Sequence, residues 1–217
     1  VPARIVARCA ASDRAALIPR LARLGTPVRY VPGESTATFS FTYDGDVRTM
    51  TVEAIGDTWL AADVPPLTAR WIHVPALSRA EWPAATLAAL ARRHRIAFDG
   101  QGLVRPAHTG PLVLDDKFDR DVLRHVWVLK LADEEAEVIG DVDSLGVREV
   151  LLTHGSRGAT VVCGGVREFV PAHRVDGDPT GAGDAYTTAY VVGRNAGFSP
   201  VGAARRATAV VAAVLRR

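Results

Sequence analysis

Asp178-Pro179-Thr180-Gly181-Ala182-Gly183-Asp184-Ala185-Tyr186 reads DPTGAGDAY late in a 217-residue chain, just before a helical stretch that runs to about Asn195. Small residues at 181–183 let the chain turn sharply into a helix, and glycine leaves no Cβ to block a ligand from the main-chain amides. The first N–H groups of a helix lack intrahelical acceptors and sit at the positive end of its dipole, which favours an anion. Asp184 falls in that first turn, where the same dipole favours its ionised form. A carboxylate beside an anion cradle suits phosphoryl transfer to an alcohol. The carboxylate takes the hydroxyl proton, and the amides stabilise the equatorial oxygens of the transferred phosphate. For GAGD alone, a capped turn reads equally well; nine residues in this position favour the chemical reading.

Outward from that turn, the chain alternates short apolar runs with helical periodicity. Ile5 to Cys9 reads as a strand and Arg14 to Leu24 as a helix closed by Gly25. Val28 to Val52 alternates apolar and polar residues and turns at Asp44-Gly45-Asp46, which predicts a β-hairpin. Strands follow at Trp71–Val74, Ile96–Asp99, Val126–Lys130, Val150–Thr153 and Ala159–Cys163. Helices are expected over Glu81–His94, Phe118–Arg124, Asp133–Ile139 and from Ser199-Pro200 to the C-terminus. This succession predicts one α/β domain over residues 1–217, a doubly wound, mostly parallel sheet flanked by helices, with residues 28–54 as a small β lid.

The DPTGAGDAY stretch resembles the second signature of the PfkB family of sugar and nucleoside kinases, whose fold is ribokinase-like. The resemblance implies that Asp184 is the catalytic base and that Gly181, Ala182 and Gly183 form the anion hole. Thr188 departs from it, since the family usually has a small residue there. Leu129 to Ile139 resembles the region of the family's Asn-x-x-Glu motif, with Glu135 as the glutamate that organises Mg²⁺ through water and Ala132 where asparagine is usual. Read without the resemblance, Asp133-Glu134-Glu135 is an acidic helix start. Leu151 to Val162, LLTHGSRGATVV, resembles the strand–turn–strand that lines the ATP site. The resemblance assigns Lys130, Thr153, Gly155, Gly158 and Thr180 to ATP; on its own the segment is a plain hairpin. Phe98 to Arg105, FDGQGLVR, resembles an Asp-x-Gln-Gly-x-x-Arg segment of some members, which places Asp99, Gln101 and Arg105 near the substrate; a structural turn is the equal alternative.

Composition sets the remaining bounds. Hydrophobic residues make up 48% and charged residues 23%, and the net charge of +2 gives no footprint for nucleic acid. Lys117 and Lys130 are the only lysines, and the arginines are dispersed. Cys9 and Cys163 stand in apolar surroundings without metal-ligand spacing, so free thiols are expected. The six histidines are scattered, and the chain has no GxxxxGK[ST], GxGxxG or HExxH motif. Apolar runs stay below the ~18 residues of a membrane span, so the sequence predicts a cytoplasmic protein. Family members begin earlier, with a strand and a Gly-Gly-x-x-x-Asn sugar-binding segment, so the chain reads as a fragment or a short member. The resemblance thus implies an ATP- and Mg²⁺-dependent kinase of a sugar or polyol, with a homodimer through the lid as the expected assembly. A nucleoside acceptor, or a catalytically silent nucleotide-binding homologue, remains the alternative.

Overall fold

Ile96-Ala97-Phe98, Val128-Leu129 and Val150-Leu151-Leu152 are apolar on both parities, so these strands need cover on both faces. The structure, a computed structural model, supplies it; residues 2–44, 47–172, 175 and 180–216 are described. The chain begins β1 (Ile5–Ala10), α1 (Arg14–Ala22), β2 (Val28–Gly33), β3 (Thr38–Asp44), β4 (Val47–Ala54) and β5 (Trp71–Val74). It continues α2 (Ala84–Ala91), β6 (Arg95–Asp99), the short α3 (Gln101–Val104), β7 (Gly110–Pro111), β8 (Val128–Ala132) and α4 (Asp133–Ile139). It closes with β9 (Glu149–Thr153), β10 (Gly158–Cys163), β11 (Val166–Pro171), α5 (Ala182–Asn195) and α6 (Pro200–Leu215).

Six strands form the main sheet in the order β5-β6-β8-β9-β10-β11. The pairs β5–β6, β6–β8 and β8–β9 are parallel, while β10 and β11 add antiparallel. Alternation along each strand then sorts the core. Val74, Ile96, Phe98, Leu129, Leu131, Val150 and Leu152 pack with Leu87 of α2 and Ile139 of α4. Trp71, Ala97, Val128, Leu151 and Val161 pack with Tyr186, Tyr190 and Val191 of α5 and Ala203, Ala204 and Ala207 of α6. Small residues let these two helices close up: a Cβ on Gly193 would lie 3.0 Å from that of Ala203. This is the doubly wound, mostly parallel sheet that the sequence predicts.

Several boundaries differ. The stretch Val28 to Val52 is not one hairpin. β2 pairs in parallel with β1, whereas β3 and β4 pair antiparallel and are joined by β7. The break follows from Pro32, which has no N–H, and from Asp57, whose Oδ2 accepts the N–H groups of Glu34 and Ser35 at 2.7 and 3.3 Å. The lid span expected at 28–54 therefore divides, and only 38–54 forms the hairpin; its turn residues Gly45 and Asp46 lie outside the described residues. Pro83 sets the start of α2, so Glu81 precedes that helix and instead accepts the Leu77 N–H at 3.0 Å. The helix expected over Phe118–Arg124 is a 3₁₀ segment, Arg120–His125, capped by Asp119. β11 was not foreseen. Cys9 and Cys163 are free thiols, as expected. No helix among the described residues is long and apolar enough to cross a membrane.

Candidate functional site

On β5, β6, β8 and β9 the parity that faces α5 ends in His73, Asp99, Lys130 and Thr153. The parallel register brings these four to the carboxyl ends of neighbouring strands, where ligands of open α/β sheets bind. The first turn of α5 lies over them. Gly181 holds φ +78° at its N-cap, a left-handed conformation that glycine adopts without strain. The helix's first bond, from the Ala185 N–H to the Gly181 carbonyl at 2.9 Å, leaves the amides of Ala182, Gly183 and Asp184 ahead of any i−4 acceptor. Asp178 and Pro179, the first residues of the motif, lie outside the described residues. Thr180 is exposed at the head of the turn.

Lys130 is buried directly beneath that turn. A Cβ added to Gly183 would sit 3.3 Å from its Nζ, so the glycine lets amide and ammonium converge on one spot. Lys130 also approaches Glu135 Oε2 at 3.8 Å. The same oxygen accepts the Ala132 N–H at 2.8 Å, so Glu135 caps its own helix while Ala132 offers no side-chain oxygen in return. Burial pushes the Glu135 carboxyl up, against the opposing charge of Lys130. The acidic helix start and the expected site residue are thus the same group.

Asp184 is exposed at the mouth of this cluster. Desolvation and the adjacent Asp99 carboxylate push its pKa up, with His73 and Lys130 opposing. Asp99, expected near the substrate, is instead fully buried beneath α5. Its Oδ2 lies 3.1 Å from His73 Nε2, and its Oδ1 lies 3.0 Å from the hydroxyl of Thr187. Both of its oxygens are thus engaged inside the protein. Burial alone would raise Asp99; His73, then Lys130 and Thr187, outweigh it and hold the carboxyl below its ordinary range. His73 Nδ1 reaches the hydroxyl of Thr188 at 3.1 Å, which accounts for the unexpected threonine at that position.

Two cavities bear on the expected site residues. One of about 200 Å³ is lined by Thr153, Gly155, Gly158, Ala182, Gly183 and Tyr186 together with α6. Thr153, Gly155 and Gly158 therefore share a cavity with two of the three residues expected to form the anion hole. Gly158 also has a packing role: its φ is +129°, and a Cβ there would lie 2.2 Å from the Val170 carbonyl oxygen. The other cavity, of about 490 Å³, lies between the hairpin and α4 and is lined by Thr49, Met50, Arg105, Leu112, Leu114, Glu134 and Glu135. The Arg105 guanidinium stands 5.5 Å from the Phe39 ring, linking the hairpin to the sheet. Gln101 is half-buried at the start of α3. His73 and Thr187 were not singled out by sequence. The signal that finds His73 is strand parity, since it is the polar residue on the helix-facing side of an otherwise apolar strand; Thr187 is found by helical spacing, three residues before the buried Tyr190.

The residues present fit a phosphate donor. The cradle over Lys130 that a Cβ would crowd, and the cavity continuous with it, match the needs of a polyphosphate chain and its attached group. No cluster of three metal-ligating side chains occurs among the described residues. Mg²⁺ commonly binds through one or two carboxylates plus substrate phosphates, so Glu135 fits a water-mediated contact and no more.

Comparison with known proteins agrees with this geometry. Residues 113–217 match the family model described as pfkB family carbohydrate kinase. Among solved structures, a sulfate complex of a pyrophosphate-dependent kinase in the ribokinase family matches with TM-score 0.89 and 24% identity, covering 100% of this chain and 82% of that one. A pyrophosphate-dependent kinase in the ribokinase family complexed with a pyrophosphate analog and myo-inositol matches at 0.88 and 23%, covering 100% and 82%. Burkholderia thailandensis nucleoside kinase in complex with inosine matches at 0.72 and 23%, covering 100% and 75%. Comparison with curated protein sequences gives no match.

Proposed function

From the premise that the chain belongs to the pfkB kinase family, whose model matches residues 113–217 and whose ribokinase-like fold its whole length follows, we propose that it transfers a phosphoryl group from ATP to a hydroxyl of a sugar or polyol. The observation that carries this reading is Asp184 in the first turn of α5, beside the helix-start amides of Ala182 and Gly183, which precede the helix's first i−4 bond, and above the buried Lys130. Asp184 accepts the proton of the acceptor hydroxyl as that oxygen attacks phosphorus. The amides and the Lys130 ammonium receive the charge that develops on the transferred group. Glu135 would hold a water of a magnesium ion carried in with the donor, and such an ion would further neutralise phosphate charge.

Two observations support the choice of partners. The cavity running from the anion hole along Thr153, Gly155 and Tyr186 reaches the apolar Val211, Ala212 and Leu215 of α6, a lining that suits a nucleobase and favours a nucleotide over pyrophosphate. The cavity under the hairpin presents Thr49, Arg105, Glu134 and Glu135, groups that hydrogen-bond hydroxyls, which favours a polyhydroxylated acceptor. The hairpin and β7 then serve as the lid that closes over the acceptor and excludes water.

The test measures transfer from ATP and from pyrophosphate to a panel of sugars, myo-inositol and nucleosides, with Asp184→Asn in parallel. Transfer from ATP to a sugar or polyol, lost in the variant, is the expected result. Turnover only with pyrophosphate would overturn the donor assignment, turnover only on nucleosides the acceptor assignment, and full activity in the variant the base.

A further inference from the structure

The first turn of α5 rests on a polar layer that the transfer chemistry above does not use. His73 on β5 and Asp99 on β6 sit side by side at the strand ends, with Nε2 3.1 Å from Oδ2. His73 has only 14% of its side chain exposed and Asp99 none. From α5, Thr187 meets Asp99 at 3.0 Å and Thr188 meets His73 at 3.1 Å. Lys130 faces the same carboxylate from β8, and Asp184, one turn before Thr187 and Thr188 on α5, lies near enough to feel its charge. Each element packed against Asp99 therefore presents a named polar group: His73, Lys130, Thr187 and Asp184.

We propose that Asp99 and His73 are positioning residues for Asp184: the buried pair beneath α5 fixes the carboxyl group of the base and sets its electrostatic surroundings without reaching the acceptor. The inference rests on the reading of Asp184 as the base. A purely structural tie between helix and sheet would not bring two carboxyl groups together, because neighbouring like charges cost stability. The fold makes such a tie elsewhere on the same helix with opposite charges, Arg194 to Glu149 at 2.7 Å. At the upper end it keeps Asp99 ionised with His73, Lys130 and Thr187 and places Asp184 against that charge. A carboxyl in this position holds a proton more tightly than an isolated one, so it draws the hydroxyl proton more strongly as the O–P bond forms. The proton lost by the acceptor oxygen is taken up by Asp184, with the charge of Asp99 alongside.

The deciding experiment follows aspartate carboxyl carbons by NMR through a pH titration of the labelled full chain, with Asp184 assigned by difference from Asp184→Asn. It needs no turnover, so it separates this inference from the kinase reading. In the wild type, Asp184 and Asp99 are expected to titrate as a coupled pair in two steps, Asp184 in the upper one. Asp99→Asn should lower the Asp184 midpoint. Where that buried substitution fails to fold, His73→Leu should move the lower step upward, as Asp99 loses its partner. In an active enzyme, the acid limb of kcat/KM should move with the Asp184 midpoint. A single-step Asp184 titration at the ordinary aspartate position in the wild type, or a midpoint unmoved in the folded variants, would overturn the proposal.

Discussion

The two ends of α5 hold charge against the same sheet face in opposite ways. Near its C-terminus, Glu149 is buried and fully engaged: Tyr190 donates to it at 2.6 Å, Arg194 at 2.7 and 3.0 Å, and the Trp127 indole at 3.2 Å. Its negative charge is matched by a guanidinium, and Arg95 and Arg148 pack over Trp127 outside it. At the N-terminus, two carboxyl groups crowd together, Lys130 lies under a glycine, and the amides point toward a cavity. The lower cluster is closed and serves the fold. The upper one is left open at the cost of like-charge repulsion, the pattern expected of a site that holds its charges for a ligand.

That contrast can be broken by substitution. Asp184→Asn should lower phosphoryl transfer by about a thousandfold, within the usual range for loss of a general base. It should not weaken the fold, and the sign follows from its pKa. The folded state raises the Asp184 pKa, so its ionised form is destabilising above that pKa and costs nothing below the unfolded value. Thermal melts should therefore show the Asn variant gaining on the wild type near neutrality, with the gain vanishing as pH falls toward the ordinary aspartate value. An Asp184→Asn protein that melts lower than wild type at neutral pH would place the carboxylate in the fold rather than the site.

Glu149→Ala should do the reverse. Removing one partner of a buried pair costs about 3–5 kcal/mol, and Arg194 keeps some access to water, so roughly 3 kcal/mol is expected in a denaturant titration. The activity of the remaining folded protein at low temperature should match wild type. A smaller effect is expected for Gly183→Ala, whose Cβ would force Lys130 to move by a few tenths of an ångström. Turnover should fall about tenfold with little change in stability, since small misplacements of a positioning group are costly to rate. Unchanged turnover would detach Lys130 from the anion site.

Most of the architecture was legible because the buried strands carry their own signal. Val150-Leu151-Leu152 and Ile96-Ala97-Phe98 have no parity that water could accept, so they declare a covered, parallel sheet. The nine-residue turn declared α5 and Asp184. What stayed hidden depends on contacts between segments far apart in sequence. Val28 to Gly33 alternates like the hairpin that follows it, and its pairing with β1 is a tertiary choice. β11 is mostly exposed, Val166-Arg167-Glu168-Phe169 having no alternation to read. Asp99 resembled a substrate residue, yet the strand parity that aims it at α5 also buries it. His73, between Ile72 and Val74, looked like one scattered histidine among six; register sets it opposite Ala97, from where its ring reaches Asp99. Glu135 left two readings open in the sequence, helix start or metal-organising residue; in the fold the amide of Ala132 and the Lys130 ammonium meet on one of its oxygens.

The central claim, that the first turn of α5 receives the phosphate to be transferred, is tested most directly by a crystal structure with a non-hydrolysable ATP analogue and magnesium. The account predicts the terminal phosphate within hydrogen-bonding distance of the Ala182 and Gly183 amides and Lys130 Nζ, with the Asp184 carboxylate facing the acceptor side. Terminal phosphate density elsewhere, or Asp184 turned away from it, would contradict the account.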